Sequence, residues 1–299
     1  MTIYQAHASL PAEPASGRVI YLPWESYLRW HSGRLKHAAN ASGQAVDLPP
    51  PWPPGVHKAL IGTTGDGKTT HAVGILGTRK YVLALDPKGE DETLAASGYV
   101  RVTSLPQDGW RGAVSRLRGN TDQRAWNDIY ERIDGGGTAR VIIGGGASSD
   151  AEDYALQQLM RDAITFCRHS PGWTLYVDEF ELLSSQRMFK LGPLIERMLI
   201  TARRAKTSVV TSFQAPAWVS KHATRQARDV VMWPIGDPDM IKLIAQGMGR
   251  DWREVAEAAD LLPKWHTMTI PRSKLGGPLI ITRAPKLDTA ARASREKPR

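Results

Sequence analysis

Read for its apolar positions alone, the chain changes rhythm near residue 55. Before that point apolar residues are scattered among prolines. After it, short apolar runs alternate with stretches of helical spacing. The runs "KALIG" (58–62), "YVLALD" (81–86), "ARVIIG" (139–144), "WTLYVDE" (173–179), "TSVVTSF" (207–213) and "DVVMWPI" (229–235) predict strands. Helices are predicted between and after them, at 68–77, 152–168, 190–205, 215–227, 237–246 and 251–260. Strands that are apolar throughout, separated by helical segments, indicate an α/β fold with a mostly parallel central sheet covered by helices on both sides. Two late runs, 265–270 and 278–283, could complete that sheet as a hairpin or edge. No internal repeat is present.

The first 54 residues read as a separate arm. They hold the proline cluster "DLPPPWPPG" (47–55), a stiff spacer, and three of the ten tryptophans: Trp24, Trp30 and Trp52. Within "WESYLRWHSGRLKHAA" the residues Trp24, Tyr27, Leu28, His31 and Leu35 fall at helical spacing. That short amphipathic helix either packs on the main domain or docks a partner. Residues 55–285 then form the main domain, and 286–299 a basic tail expected to be disordered.

Composition narrows the setting. The single cysteine, Cys167, rules out an intrachain disulfide framework and suits a reducing interior. No apolar run approaches the roughly 18 to 20 residues that span a bilayer, so the expectation is a cytoplasmic chain. The net charge of +9 suits a polyanionic partner without requiring one.

The chemistry begins at "KALIGTTGDGKTTHAVGIL" (58–76), an apolar run, a glycine-rich turn and a helix. Gly62, Thr63, Thr64, Gly65, Asp66, Gly67, Lys68, Thr69 and Thr70 make the phosphate-binding loop pattern. Its glycines let successive amides point inward, and the helix start adds positive dipole. In that reading Lys68 reaches the β- and γ-phosphates of ATP and the Thr69 hydroxyl meets Mg2+. Asp66 is out of place in a loop built for anions, so its side chain must turn to solvent or a neighbour.

A second acidic element is needed to hold the metal and prime water. The run "TLYVDE" supplies it, with Asp178 directed at the metal and Glu179 at the attacking water, 110 residues after Lys68. Downstream, Gln214 ends another predicted strand and is placed to sense the γ-phosphate or the water. Arg197, Arg203 and Arg204 lie on the preceding helix, either as a solvated basic face or as groups that reach a neighbouring subunit's nucleotide.

The block "LYVDEFELL…LIERMLITARRAKTSVVTSFQAP", the loop "GTTGDGKT" and the segment "LALDPKGED" (83–91) together resemble the FtsK/HerA superfamily of DNA-translocating ATPases. The last of these is also similar to type IV coupling proteins. The resemblance spans roughly residues 56–245. One departure stands out: the family's Thr-Gln-Arg-Pro reads Phe213, Gln214, Ala215, Pro216 here. The resemblance implies a RecA-like P-loop NTPase core, and a hexameric ring with nucleotide between subunits. It also implies Mg-dependent ATP hydrolysis that moves or packages double-stranded DNA, and an arginine supplied in trans by Arg203, Arg204 or Arg228. Glycine-rich segments near 134–137 and 144–150 are pore-loop candidates or plain surface turns. The arm or the tail would dock such a motor to a capsid portal or transfer machinery. The competing readings are a coupling ATPase for conjugation or secretion, and an assembly factor that uses nucleotide only as a switch.

Overall fold

The computed structural model describes residues 19–40, 43–89, 91–102, 121–144, 150–214, 221–272, 274 and 277–285. The expected tail, the glycine-rich residues 145–149 and the start of the helix expected at 215–227 lie outside these residues.

Seven strands form the parallel heart of the sheet: β4 (His57–Ile61), β5 (Tyr81–Asp86), β6 (Val100–Val102), β7 (Ala139–Gly144), β8 (Trp173–Val177), β9 (Ser208–Phe213) and β10 (Ala227–Met232). A hairpin of β11 (Thr267–Pro271) and β12 (Leu279–Thr282) extends it, and β1 (Val19–Tyr21) closes that edge by pairing parallel with β12. The spatial order is β1-β12-β11-β10-β4-β9-β8-β5-β7-β6. Only β11 runs against the rest of this ten-stranded sheet.

Both faces are covered, which is why the strands read as continuous apolar runs. Alternation then sorts them: Ala59, Leu83, Val141, Leu175 and Val209 face one core, while Leu60, Val82, Ile142, Tyr176 and Val210 face the other. The first core is filled from α4 (Thr121–Asp134), α5 (Asp150–His169), α7 (Gly192–Thr201), α9 (Pro238–Met248) and α10 (Trp252–Asp260), labelled in chain order with the short helices α6 (Phe180–Ser184) and α8 (Lys221–Gln226). The second core is covered by α1 (Trp24–His31), α2 (Lys68–Leu76) and α3 (Glu92–Ala96).

Residues 19–54 are tied to both layers. β1 is part of the sheet, and α1 packs on α2, with the Trp24 and His71 rings 5.0 Å apart. The helix expected along 24–39 stops at His31, because Ser32 and Gly33 (φ +78°) turn the chain away. β2 (His37–Ala39) and β3 (Ala45–Asp47) then pair as a small separate hairpin. No helix among the described residues is long and apolar enough to cross a membrane.

Candidate active site

Strand register brings the candidate residues to one edge. Ile61 pairs with Phe213 and with Met232, Val177 with Leu85 and with Thr211, and Asp86 with Gly144. The residues that leave the carboxyl ends of β4, β5, β8 and β9 are therefore neighbours although far apart in sequence. Ligand sites of open α/β sheets form at this edge.

The loop from Gly62 to Gly67 joins β4 to α2. Gly65 and Gly67 have φ of +86° and +90°, a conformation that costs side-chain-bearing residues and turns the amides inward. Gly62 is needed for space, since a Cβ there would sit 3.0 Å from the Cβ of Trp233. The Lys68 ammonium donates to the carbonyl oxygens of Gly62 (2.7 Å) and Thr63 (2.9 Å), lying along the loop. Burial lowers its pKa, and Asp178, Asp66, Glu181 and Glu179 oppose that shift. Asp66 turns to a neighbour, as its charge requires: its carboxylate accepts from the Thr63 amide (2.6 Å) and hydroxyl (2.8 Å).

Asp178 follows β8, its amide bonded to the Leu85 carbonyl at 3.1 Å. Burial pushes its carboxyl up to about 6, against a hydrogen bond from the Tyr176 hydroxyl at 2.9 Å and with the negative charges of Asp91 and Glu179 adding to the rise. Glu179 adopts φ +46°, ψ +59°, a left-handed conformation that is costly for a glutamate and concentrates at functional sites. Its Oε1 accepts from the Lys88 ammonium at 2.6 Å.

Gln214 leaves β9 beside the loop. Its side-chain amide donates to the Thr64 hydroxyl at 2.8 Å, and its backbone N–H donates to the Glu181 carboxylate. Asp91 reaches the same place from β5. It caps α3 by accepting from the Leu94 amide at 3.0 Å, and burial raises its pKa against the lowering effect of that amide and the nearby Thr69 side chain. Asp91, Glu181 and Lys88 were not singled out in the sequence. The acidic segment "DPKGED" was a signal for two of them, but their partners lie in other elements.

The arginines lie elsewhere. Arg203 and Arg204 are exposed in the turn before β9, at the amino ends of the strands; the Arg203 carbonyl oxygen is 3.1 Å from where a Cβ on Gly55 would sit. They are thus at the opposite edge from their own chain's phosphate loop. Arg228 is at that edge too, as the extra residue where the register of β10 slips between Ala227 and Asp229. Its guanidinium is packed on the Asp229 carboxylate (2.6 Å) and bonded to the Pro51 carbonyl. In this single chain Arg228 thus braces the start of β10 against the proline segment. The 134–137 segment is the turn that ends α4, with the Gly137 amide on the Arg132 carbonyl at 2.7 Å, also at the amino edge.

Among the described residues no group of three or more His, Cys, Asp or Glu side chains could hold a metal ion. A magnesium ion carried in by a nucleotide needs less, because phosphate oxygens and water fill most of its shell. The Thr69 hydroxyl and the half-buried Asp178 carboxylate, with Asp91 close to both, fit that sparse donor set.

No protein-family model matches the sequence, and no curated protein matches it. Solved structures do resemble the fold. The genome packaging NTPase B204 of Sulfolobus turreted icosahedral virus 2, in complex with AMP, superposes with a TM-score of 0.50 at 17% identity, over 78% of this chain and 99% of that one. VirB4 of Thermoanaerobacter pseudethanolicus (TM-score 0.49, 11% identity, 79% of this chain and 91% of that one) and the pCW3 conjugation coupling protein TcpA (0.46, 12%, 93% and 74%) are less similar. The chain therefore has the α/β fold of the packaging NTPase, a mostly parallel sheet between helical layers; in this chain a glycine-rich loop lies at the carboxyl edge of that sheet.

Proposed function

We propose that this protein is an ATPase that couples ATP hydrolysis to the translocation or packaging of double-stranded DNA. One observation carries the reading: Lys68, Asp178, Glu179 and Gln214, from three strands, converge on a single phosphate loop, with Gln214 in contact with Thr64. The likeness to a viral packaging NTPase agrees with it in fold, and the positive net charge suits a DNA partner.

In this reading the amides of Gly62–Thr69 and the Lys68 ammonium hold the triphosphate and neutralise charge that builds on it. Glu179 accepts a proton from the water that attacks the γ-phosphorus, ADP leaves, and phosphate is released. Gln214, held from beneath by Glu181, orients that water or reports whether the γ-phosphate is present. When bound, Mg2+ would be held by Thr69 and Asp178 and would offset negative charge on the phosphates. Arg203 and Arg204 are exposed at the edge away from their own loop, so the partner they could serve is a neighbouring subunit's nucleotide in a homo-oligomeric ring, a hexamer by resemblance.

The test is ATP turnover with and without a duplex DNA fragment. Wild-type protein should turn over ATP faster with DNA; Lys68→Ala should lose tight nucleotide binding or turnover, and Glu179→Gln should bind ATP without cleaving it. Normal turnover by Glu179→Gln would remove the assignment of the base. Turnover that ignores DNA would favour a coupling ATPase with another cargo, and nucleotide binding without turnover a switch-type assembly factor.

A further inference from the structure

The phosphate loop divides the carboxyl edge of the sheet into two halves of different chemistry. On one side the ends of β5, β8 and β9 lead into Asp86, Lys88, Asp178, Glu179 and Gln214, all polar. On the other, the ends of β10 and β1 and the approach to β11 carry Trp233, Tyr21, Trp265 and His266. Register joins this aromatic half to the loop: Ile61 pairs with Met232 and Met232 with Met268, so β11 lies two strand spacings from β4, about 10 Å. Trp233, packed against Gly62, is where the two meet.

Trp265 is the unusual member of this half. It holds the third position of the turn Pro263–His266, which the His266 amide closes on the Pro263 carbonyl at 3.0 Å. Its φ of +69° is one that glycine adopts freely and a bulky side chain does not. A tryptophan stands there all the same, 48% exposed, with the Lys264 ammonium 5.0 Å from its ring centroid. Strained positions of this kind cluster at active sites and ligand clamps, and Glu179 is another at this edge.

A nucleoside triphosphate is as asymmetric as the edge itself. Its γ-phosphate must meet the group that primes water, which puts that end beside Glu179 on the polar half. Lys68 and the loop amides take the middle, so the nucleoside leaves toward β10 and β11. There a base meets aromatic surface, and a tryptophan ring can stack on any base.

Resting on the function proposed above, we infer that Trp265 is the stacking platform for the nucleobase of ATP, at the opposite end of the site from Glu179. Stacking uses the π-face of a base and not its hydrogen-bonding edge, so the platform adds affinity without choosing between adenine and guanine.

The experiment is calorimetric titration of wild type, Trp265→Ala, Trp265→Phe and Lys68→Ala with two probes: a non-hydrolysable ATP analogue, and inorganic tripolyphosphate, which has the phosphates and no base. Lys68→Ala should weaken both, showing that they share the loop. Trp265→Ala should weaken the analogue by about tenfold, the factor that one stacked base is worth, and leave tripolyphosphate unchanged. Trp265→Phe should keep most of the affinity. In turnover, Trp265→Ala should raise KM for ATP and GTP alike with kcat kept, the mark of lost uniform binding. An analogue affinity indifferent to Trp265→Ala would overturn the inference and leave the ATPase reading intact. Equal losses for the analogue and tripolyphosphate would overturn it too, because the turn would then support the loop instead of the base. A wild type that binds neither probe would remove the ATPase reading, and this inference with it.

Discussion

The side-chain amide of Gln214 donates to the Thr64 hydroxyl at 2.8 Å, linking the end of β9 to the crown of the phosphate loop across 150 residues of sequence. The same residue's backbone N–H is fixed by Glu181, so the amide is held at the loop rather than swinging free. Gln214→Ala should therefore leave nucleotide binding within a few-fold of wild type and lower kcat on the order of a hundredfold, as loss of one positioned donor does. Single-turnover kinetics beside a nucleotide-binding isotherm measures both. A large loss of affinity with kcat intact would make Gln214 a binding group instead.

How far the sequence foretold this arrangement depends on how local each feature is. The glycine-rich turn between β4 and α2 was legible because its glycine spacing and its flanking strand and helix lie within 20 residues. Asp178 and Glu179 were legible as the polar end of an apolar run. The contacts of Asp91 with Thr69, Lys88 with Glu179 and Glu181 with Gln214 were not, since each depends on which strands become neighbours. The contact of Arg228 with Asp229 was not legible either, because it depends on a register slip and nothing in "ARDVVM" marks one. α4 went unread although Trp126, Ile129, Tyr130 and Ile133, all buried, stand at helical spacing; polar neighbours diluted the signal.

The contact between α1 and α2 is tight at one point. A Cβ on Gly74 would lie 2.2 Å from Cζ2 of Trp24. Gly74→Ala gains about 1 kcal/mol of helix propensity but should still destabilise the fold by about 1–3 kcal/mol, the usual range for overpacking. Trp24→Ala should cost more by itself and cancel much of the Gly74→Ala penalty when the two are combined. Urea denaturation of the four proteins closes the cycle. Simple additivity would show that Trp24 does not rest on Gly74 in solution.

Lys58 of β4 and Asp229 of β10 form an ion pair with both side chains fully buried, roofed by the Trp30 and Trp52 rings at 5.5 and 5.3 Å from the ammonium. Burial alone would raise the Asp229 carboxyl, but Lys58 and Arg228 hold it below its usual range, so it stays ionised. Asp229→Asn should cost about 3–5 kcal/mol, because it strands a buried cation. Arg228 also pairs with Asp229, so replacing Lys58, Arg228 and Asp229 together with apolar residues of similar size should cost far less. If chemical denaturation ranks the triple replacement below Asp229→Asn, the cluster contributes more than its own compensation.

His57 sets a pH dependence that can be isolated. Its Nδ1 accepts the Val209 amide at 3.0 Å inside the sheet, a bond that a proton on Nδ1 would abolish. Burial is the main cause that holds its pKa down to about 4, a backbone hydrogen bond to Leu199 opposes it, and the Arg203 charge adds to the fall. Between pH 6.5 and 4 the unfolded chain takes up a proton here that the fold refuses, so stability rises with pH through that window. The contribution is complete above pH 6.5 and is lost as pH falls toward 4, about 3 kcal/mol across the full shift. Asp178, raised to about 6, has the opposite slope, so the difference between wild type and a variant is the useful quantity. His57→Asn keeps an oxygen to accept the Val209 amide but cannot titrate. Urea midpoints from pH 4.5 to 8 should therefore show wild type losing stability on the acid side relative to His57→Asn, and parallel curves would mean that His57 accepts a proton in the folded protein as readily as in the unfolded one.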